Sequence, residues 1–383
     1  MALLNSYERD TNLVLVEGKL STRILTLNRP QKLNSLNYDM VSELWTNLRA
    51  FEKQDNIKLV ILKGNGKAFC AGGDAAAMVR FMTFGHWTFG ATFYKKQLIL
   101  DHLIATYEKP LVSIINGIVM GGGAGLSMHG KFRVVTENAV FSMPEVSLGL
   151  FPDVYASLIF SSRLPGFFGE YLGLTSARID GGEMSACGLA THFVPSVNLP
   201  SLERELCRVN SANAAVIGAI IDVFAQKVPT REESGYRSLD VINECFSKNT
   251  IEEIFSALEH EAVNGDKWVL AAIKSMKSAS PTSLKISLKS IRVGRKQNIN
   301  QCLIREFRMA SHTLRRTVNS DFYEGVRAIL LDKDKKPKWQ PSKLELVTTE
   351  MVDQFFTKVD DEDWEDLQLQ NKFGPASLGH SKL

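Results

Sequence analysis

Cysteine is scarce in this chain, and what there is does not fall into pairs. Its five cysteines, Cys70, Cys187, Cys207, Cys245 and Cys302, are odd in number, include no CxxC pair and have no histidine at zinc spacing. This argues for a reducing compartment and against both a disulfide framework and a bound metal. An excess of one charge is missing too: 45 Lys and Arg stand against 42 Asp and Glu, a formal net charge of +3. That balance excludes a basic nucleic-acid arm or a membrane-coating surface, so any anion site has to be local. No apolar run approaches the roughly 20 residues that span a bilayer. The opening MALLNSYERDTNL has neither the apolar stretch of a secretory signal nor the Arg-rich character of a transit peptide, so it is expected in the mature fold. Repeats of 20 to 50 residues and long low-complexity tracts are lacking as well.

What remains reads as an α/β protein that is 44% hydrophobic and 23% charged in 383 residues, enough for a core without staples. Two strand-like runs, 13–18 and 22–27, form a predicted hairpin, and Met40, Leu44, Leu48 and Phe51 recur at helical spacing over 38–53. The apolar runs 59–64 and 111–117 each end at glycine and predict buried strands joined through helices, with ligand sites at the glycine turns. From about residue 200 the pattern becomes helical, over 201–228 and 251–278, with Ser280 as a predicted cap and Pro281 at N1 of a helix to 291. A further helix is predicted within 322–339, ending in a charged turn. The organisation expected is a core over 1–200, a helical region over 201–358 that covers the site, and an acidic segment and tail over 359–383. The acidic block 359–366 predicts a solvated helix start. The chain finishes Ser381-Lys382-Leu383, a peroxisomal address, behind a polar Gly/Pro-containing stretch.

Three segments can carry chemistry. KAFCAGGD, residues 67–74, offers paired glycines whose N–H groups can point at an oxygen, or simply a tight turn with Asp74 as a helix cap. NGIVMGGGAGLSMHG, residues 116–130, puts three glycines between a buried strand and an apolar helix, and lacks both the dinucleotide and the Walker spacing. Two such turns from neighbouring strands can give two backbone donors to one acyl oxygen. FSMPEVSLGLFPDV, residues 141–154, carries Glu145 and Asp153 in apolar surroundings that raise carboxyl pKa values and let two acids divide base and acid work. Both follow proline, so helix capping is their structural alternative. His129 reads as a packed structural histidine and Cys70 as a small packing residue rather than as catalytic groups.

These three runs, with LPGFFGEYLGLTSARIDGGEMSACGLATHFVP at 164–195 and the C-terminal segments EFRMA, DFYEGVRAILLDKDKKPKW and MVDQFF, resemble the crotonase superfamily over nearly the whole chain. The closest resemblance is to the 3-hydroxyisobutyryl-CoA hydrolases, plant members especially. It implies a crotonase-like spiral of ββα units with a helical C-terminal region, and hydrolysis of a short 3-hydroxyacyl-CoA thioester in valine breakdown. It implies backbone oxyanion donors at Gly73 and Gly122, a catalytic pair Glu145 and Asp153, and substrate or CoA contacts at Lys32, Ala71, Asp74, Gln97 and Tyr155. No cofactor is implied beyond the CoA of the substrate, and no metal. The partners expected are the acyl-CoA and a peroxisomal import receptor, without nucleic acid or membrane, and a homo-oligomer stays open. Three positions depart from the family pattern: Tyr155 where a small residue follows the aspartate, which predicts a crowded acyl pocket; Leu158 for an aromatic; and Gln97 for an acid. Alternatives are an enoyl-CoA hydratase or isomerase, disfavoured because Gly125 stands where hydratases carry a second glutamate, and an acyl-CoA-binding protein with impaired catalysis.

Overall fold

The computed structural model describes residues 12–369. Residues 1–11 of the opening segment and the 381–383 tripeptide lie outside that range, and Leu13, predicted to open the first strand, is buried just before that strand. Two Val-, Ile- and Leu-rich runs separated by Leu20 and Ser21 pair as the antiparallel hairpin β1 (Val14–Lys19) and β2 (Thr22–Leu27). Helix α1 (Tyr38–Glu52) follows, with the Asn37 side chain accepting from the Met40 N–H as its cap and Met40, Val41, Leu44, Leu48 and Phe51 buried. The chain then repeats one device. Strand β3 (Leu59–Gly64) joins the hairpin's sheet, and β4 (Ala68–Cys70) steps into a second sheet before α2 (Ala75–Phe84) and α3 (Thr88–Ala105). Strand β5 (Leu111–Ile115) returns to the first sheet and β6 (Ile118–Met120) to the second, followed by α4 (Gly122–Met128). Strands β7 (Phe132–Val135) and β8 (Val140–Ser142) repeat the step, and β8 leads to the short helix α5 (Ala156–Ser162).

Strand pairs that split between two sheets, each followed by helix, give a ββα spiral. The larger sheet has the order β1-β2-β3-β5-β7 with β10 (His192–Phe193) at its edge, and is parallel apart from the hairpin. The smaller has the order β4-β6-β8 with β9 (Ile179–Asp180) antiparallel at its edge. Parallel pairing of β4 with β6 sets the two glycine turns that follow them side by side.

The region after residue 200 does several jobs. Its first predicted helix is two, Leu199–Arg208 and Ala214–Phe224, and both pack away from the glycine turns. Leu202, Leu206, Ile217 and Ile221 cover Ile24, Leu59, Ile61, Val112, Ile114 and Val134 on one face of the larger sheet. The 251–278 stretch is also broken, into Ile251–Glu261 and Lys267–Ser278 with Gly265 in the left-handed conformation between them. Ser280 caps the helix Pro281–Gly294 through the Ser283 N–H. Only later elements approach the glycine turns: the helix Ile299–Arg315, packed on α3, and Asp321–Val326. The latter continues as a π-helical turn over Arg327–Leu331 before the charged turn. A single apolar cluster runs from Leu13 to Phe355, so the helical region shares the core of the spiral. The acidic block does not start a helix. Trp364 instead stacks on Phe307, with ring centroids 5.6 Å apart, and Asp366 binds Arg308 Nε through both carboxylate oxygens at 3.0 Å. These anchors hold the segment against the helix Ile299–Arg315. No helix among the described residues is long and apolar enough to cross a membrane.

Candidate active site

The two glycine turns touch. Gly72 has φ +98° and Gly121 has φ +46°, left-handed values that glycine takes without a Cβ penalty. A Cβ on Gly72 would lie 3.6 Å from the Gly122 nitrogen, and one on Gly121 would lie 2.7 Å from Glu145 Oε1. Bare backbone at these positions therefore lets both turns and a carboxylate converge. The next N–H groups along, those of Gly73 and Gly122, have no acceptor among the described residues.

Glu145 opens a 3-10 turn, Glu145–Leu148, directly after β8 and Pro144, and is 5% exposed; its Oε2 has no partner. Burial first, and then the neighbouring Asp153, pushes its pKa well above the usual carboxylate range. Asp153 is 4% exposed, and the Tyr94 phenol beside it favours its ionised form. Burial, with the Glu306 carboxylate behind it, raises its pKa to about 8. Neither acid caps a helix with its side chain, so the structural alternative for both falls away. Together with the glycine turns they line a cavity of about 70 Å³, closed by Phe93, Tyr94 and Gln97 of α3, Leu148, Leu150 and Phe322. An apolar groove of about 570 Å³ lies against it and shares Met78 and Phe93. A carbonyl oxygen between two free N–H donors, beside one carboxyl with an unpartnered oxygen and a second that is protonated below pH 8, is an arrangement for acyl transfer.

Residues 22–356 match the enoyl-CoA hydratase/isomerase family. A 3-hydroxyisobutyryl-CoA hydrolase 1 of Arabidopsis thaliana is 56% identical over 371 residues, 97% of each chain. The chain belongs to this family, in its 3-hydroxyisobutyryl-CoA hydrolase branch. The fold is that of its solved members, and is the expected crotonase fold. A carnitinyl-CoA dehydratase from Mycobacterium thermoresistibile superposes with a TM-score of 0.84 at 32% identity, covering 94% of this chain and 99% of that one. An enoyl-CoA hydratase from Rhodobacter sphaeroides gives 0.80 at 32% identity, covering 91% and 98%.

Within the family frame the structure brings together Ala71, Gly73, Gln97, Gly122, Glu145 and Asp153 around one cavity. It leaves three expected contacts outside it. Lys32 ends an exposed turn, Pro30–Lys32. Asp74 caps α2 through the Ala77 N–H at 3.1 Å and lies 3.4 Å from Arg29, on the wall of the apolar groove. Tyr155 does not crowd the acyl pocket: its backbone is left-handed, which turns the ring away to pack 4.7 Å from His129. His129 is buried, held neutral with its pKa lowered to about 3 by burial, and its Nε2–H donates to the Val154 carbonyl at 3.0 Å. The Cys70 thiol, pushed up to about 12 by burial, is no nucleophile at neutral pH.

Two residues that face the centre carry no local motif. Tyr94 lies beside Asp153, and Asp101, 1% exposed with neither oxygen partnered among the described residues, sits two turns further along α3. A Cβ on Gly125 would lie 2.8 Å from Asp101 Oδ1, so that carboxyl occupies the space a side chain at 125 would need. The available signal is spacing: Tyr94, Gln97 and Asp101 fall at i, i+3 and i+7, a polar stripe on one helical face.

Proposed function

We propose that this chain hydrolyses the thioester of a short 3-hydroxyacyl-CoA, 3-hydroxyisobutyryl-CoA above all, giving the free hydroxy acid and CoA. The observation that carries this is the meeting of Glu145 and Asp153 with the Gly73 and Gly122 N–H groups on one small cavity. In this reading the two N–H groups bind the thioester oxygen and strengthen their hold as it becomes an oxyanion. Glu145 supplies the base: it either attacks the carbonyl carbon, forming an anhydride that water then opens, or removes a proton from the attacking water. Asp153, protonated below about pH 8, gives its proton to the departing CoA thiolate and regains one from water. The amide of Gln97 and the phenol of Tyr94 face the acyl group and suit a substrate hydroxyl. The cavity of about 70 Å³ favours short acyl groups over long ones.

The test is thiol release from 3-hydroxyisobutyryl-, 3-hydroxypropionyl- and crotonyl-CoA. Glu145→Gln serves as the blank that cancels signal from the five cysteines. Release from the hydroxyacyl substrates that vanishes in the blank supports the reading. Hydration of crotonyl-CoA without a free thiol supports a hydratase instead. Single turnover in ¹⁸O-water separates the two routes, because only attack by Glu145 leaves label in its carboxylate. We further propose that the reaction serves valine breakdown and that Ser381-Lys382-Leu383 directs the chain to peroxisomes through the import receptor. A fluorescent fusion that keeps this end exposed and stays cytosolic overturns the location.

A further inference from the structure

Asp153 is followed by two residues in a conformation their side chains oppose. Val154 has φ +53° and Tyr155 φ +69°, and the Ala156 N–H donates to the Asp153 carbonyl at 2.9 Å, closing a turn with both central residues left-handed. Turns of this kind favour Gly, Asn and Asp; a β-branched and an aromatic residue in them each cost about 1–2 kcal/mol. Such strain persists only where the surroundings over-determine it.

Here they do. The Tyr155 N–H donates to Glu306 Oε2 at 2.6 Å, and the Ser157 hydroxyl donates to Glu306 Oε1 at 2.5 Å. Arg305 Nη2 donates to the Ser157 oxygen at 2.7 Å, which leaves the Ser157 proton for Glu306. Both Glu306 oxygens therefore accept, as a carboxylate does, and the residue is fully buried. His129 Nε2–H holds the Val154 carbonyl from the other side. Glu306 comes from the helix Ile299–Arg315, outside the spiral that supplies every other group of the centre except Phe322.

We infer that Glu306 is a positioning residue, whose carboxylate clamps the strained Val154–Tyr155 turn and so fixes the aim and the charge environment of Asp153. This rests on the hydrolase reading above. The ionisable groups around Asp153 are Tyr94 and Asp101 on α3, Glu145 in its 3-10 turn, His129 at the end of α4, and Arg305 and Glu306 on the C-terminal helix. Of these, Glu306 is the one that holds the Asp153 turn by its backbone while its negative charge opposes ionisation of Asp153.

The experiment compares kcat, KM and the pH profile of thiol release in the parent, Glu306→Ala and Glu306→Gln. Glu306→Ala is expected to lower kcat roughly 100-fold, the scale of a small misplacement of a reacting group, with KM near the parent's. Glu306→Gln keeps an acceptor for the Tyr155 N–H and removes the charge. It is expected to recover most of kcat while its alkaline limb moves to lower pH, because Asp153 then ionises more readily. If Glu306→Ala does not fold, the pH profile of Glu306→Gln decides. Parent-like kcat in a folded Glu306→Ala, a change confined to KM, or an unmoved alkaline limb in Glu306→Gln overturns the inference. A parent that releases no thiol overturns the hydrolase reading instead, and is told apart by that result.

Discussion

On one face of the larger sheet, Ile24, Leu59, Ile61, Val112, Ile114 and Val134 meet Leu202, Leu206, Ile217 and Ile221 in a layer of aliphatic side chains with no carboxyl in it. Around the glycine turns the interior is different: Asp101, Glu145, Asp153 and Glu306 are all at most 5% exposed within a short span of one another. Desolvating four acids opposes folding, whereas the aliphatic layer favours it. The chain thus separates the surface that stabilises it from the surface proposed to react, and joins them through shared strands. Strand β3 shows the division residue by residue, with Leu59 and Ile61 on the aliphatic side and Val60 and Leu62 in the core behind the site.

If the division is real, changes on the two sides have opposite signatures. The largest effect expected is from Glu145→Gln, a loss of roughly 10²–10⁴-fold in kcat with CoA affinity and Tm retained, measured by thiol release and calorimetry. Next, Ile61→Ala is expected to cost about 2–5 kcal/mol in denaturant unfolding while kcat well below the melting temperature is unchanged. A fall in kcat to match would break the comparison. Third, Asp153→Asn should lower kcat yet raise Tm above pH 8. The sign follows from its raised pKa of about 8. The folded state holds the Asp153 proton above the unfolded carboxyl's pKa of 3.8, so that stability is complete below 3.8 and is lost as pH rises toward 8. The parent's rate should fall over the same alkaline limb, and the asparagine variant should lose both dependences. The smallest change expected is from Tyr155→Gly. Relief of left-handed strain, about 1–2 kcal/mol, is set against loss of the ring's packing on His129, so the shift in Tm is small and acyl-chain preference is unchanged. A marked gain on branched substrates would put the ring back in the pocket.

Much of this was legible in the sequence where the signal is local. The runs 59–64 and 111–117 are apolar and end at glycine, so their strands and the turns that follow them could be read directly, as could the hairpin and the caps at Asp74 and Ser280. Glu145 and Asp153 stood out as charges among apolar neighbours. Helix breaks in the second half were hidden because short loops such as 209–213 and 262–266 interrupt an apolar periodicity that continues on either side. Tyr94 and Glu306 were missed because the groups they face lie far along the chain, Glu306 being 151 residues from Tyr155, and Asp101 because nothing next to it in sequence marks its burial. The left-handed backbone at Val154 and Tyr155 runs against the propensity of both residues, so no reading of local preference reaches it.

The distance between the turn and its clamp also sets an order of events during synthesis. At about 5–20 residues per second, the stretch between Tyr155 and Glu306 takes on the order of ten to thirty seconds to emerge. Throughout that interval the peptide after Asp153 lacks both Glu306 contacts, and of its long-range partners only His129, through the Val154 carbonyl, has been made. A nascent or truncated chain that ends before the helix Ile299–Arg315 would therefore lack the contact proposed to aim Asp153. On that proposal the aim of Asp153 is completed only when the C-terminal helix is made.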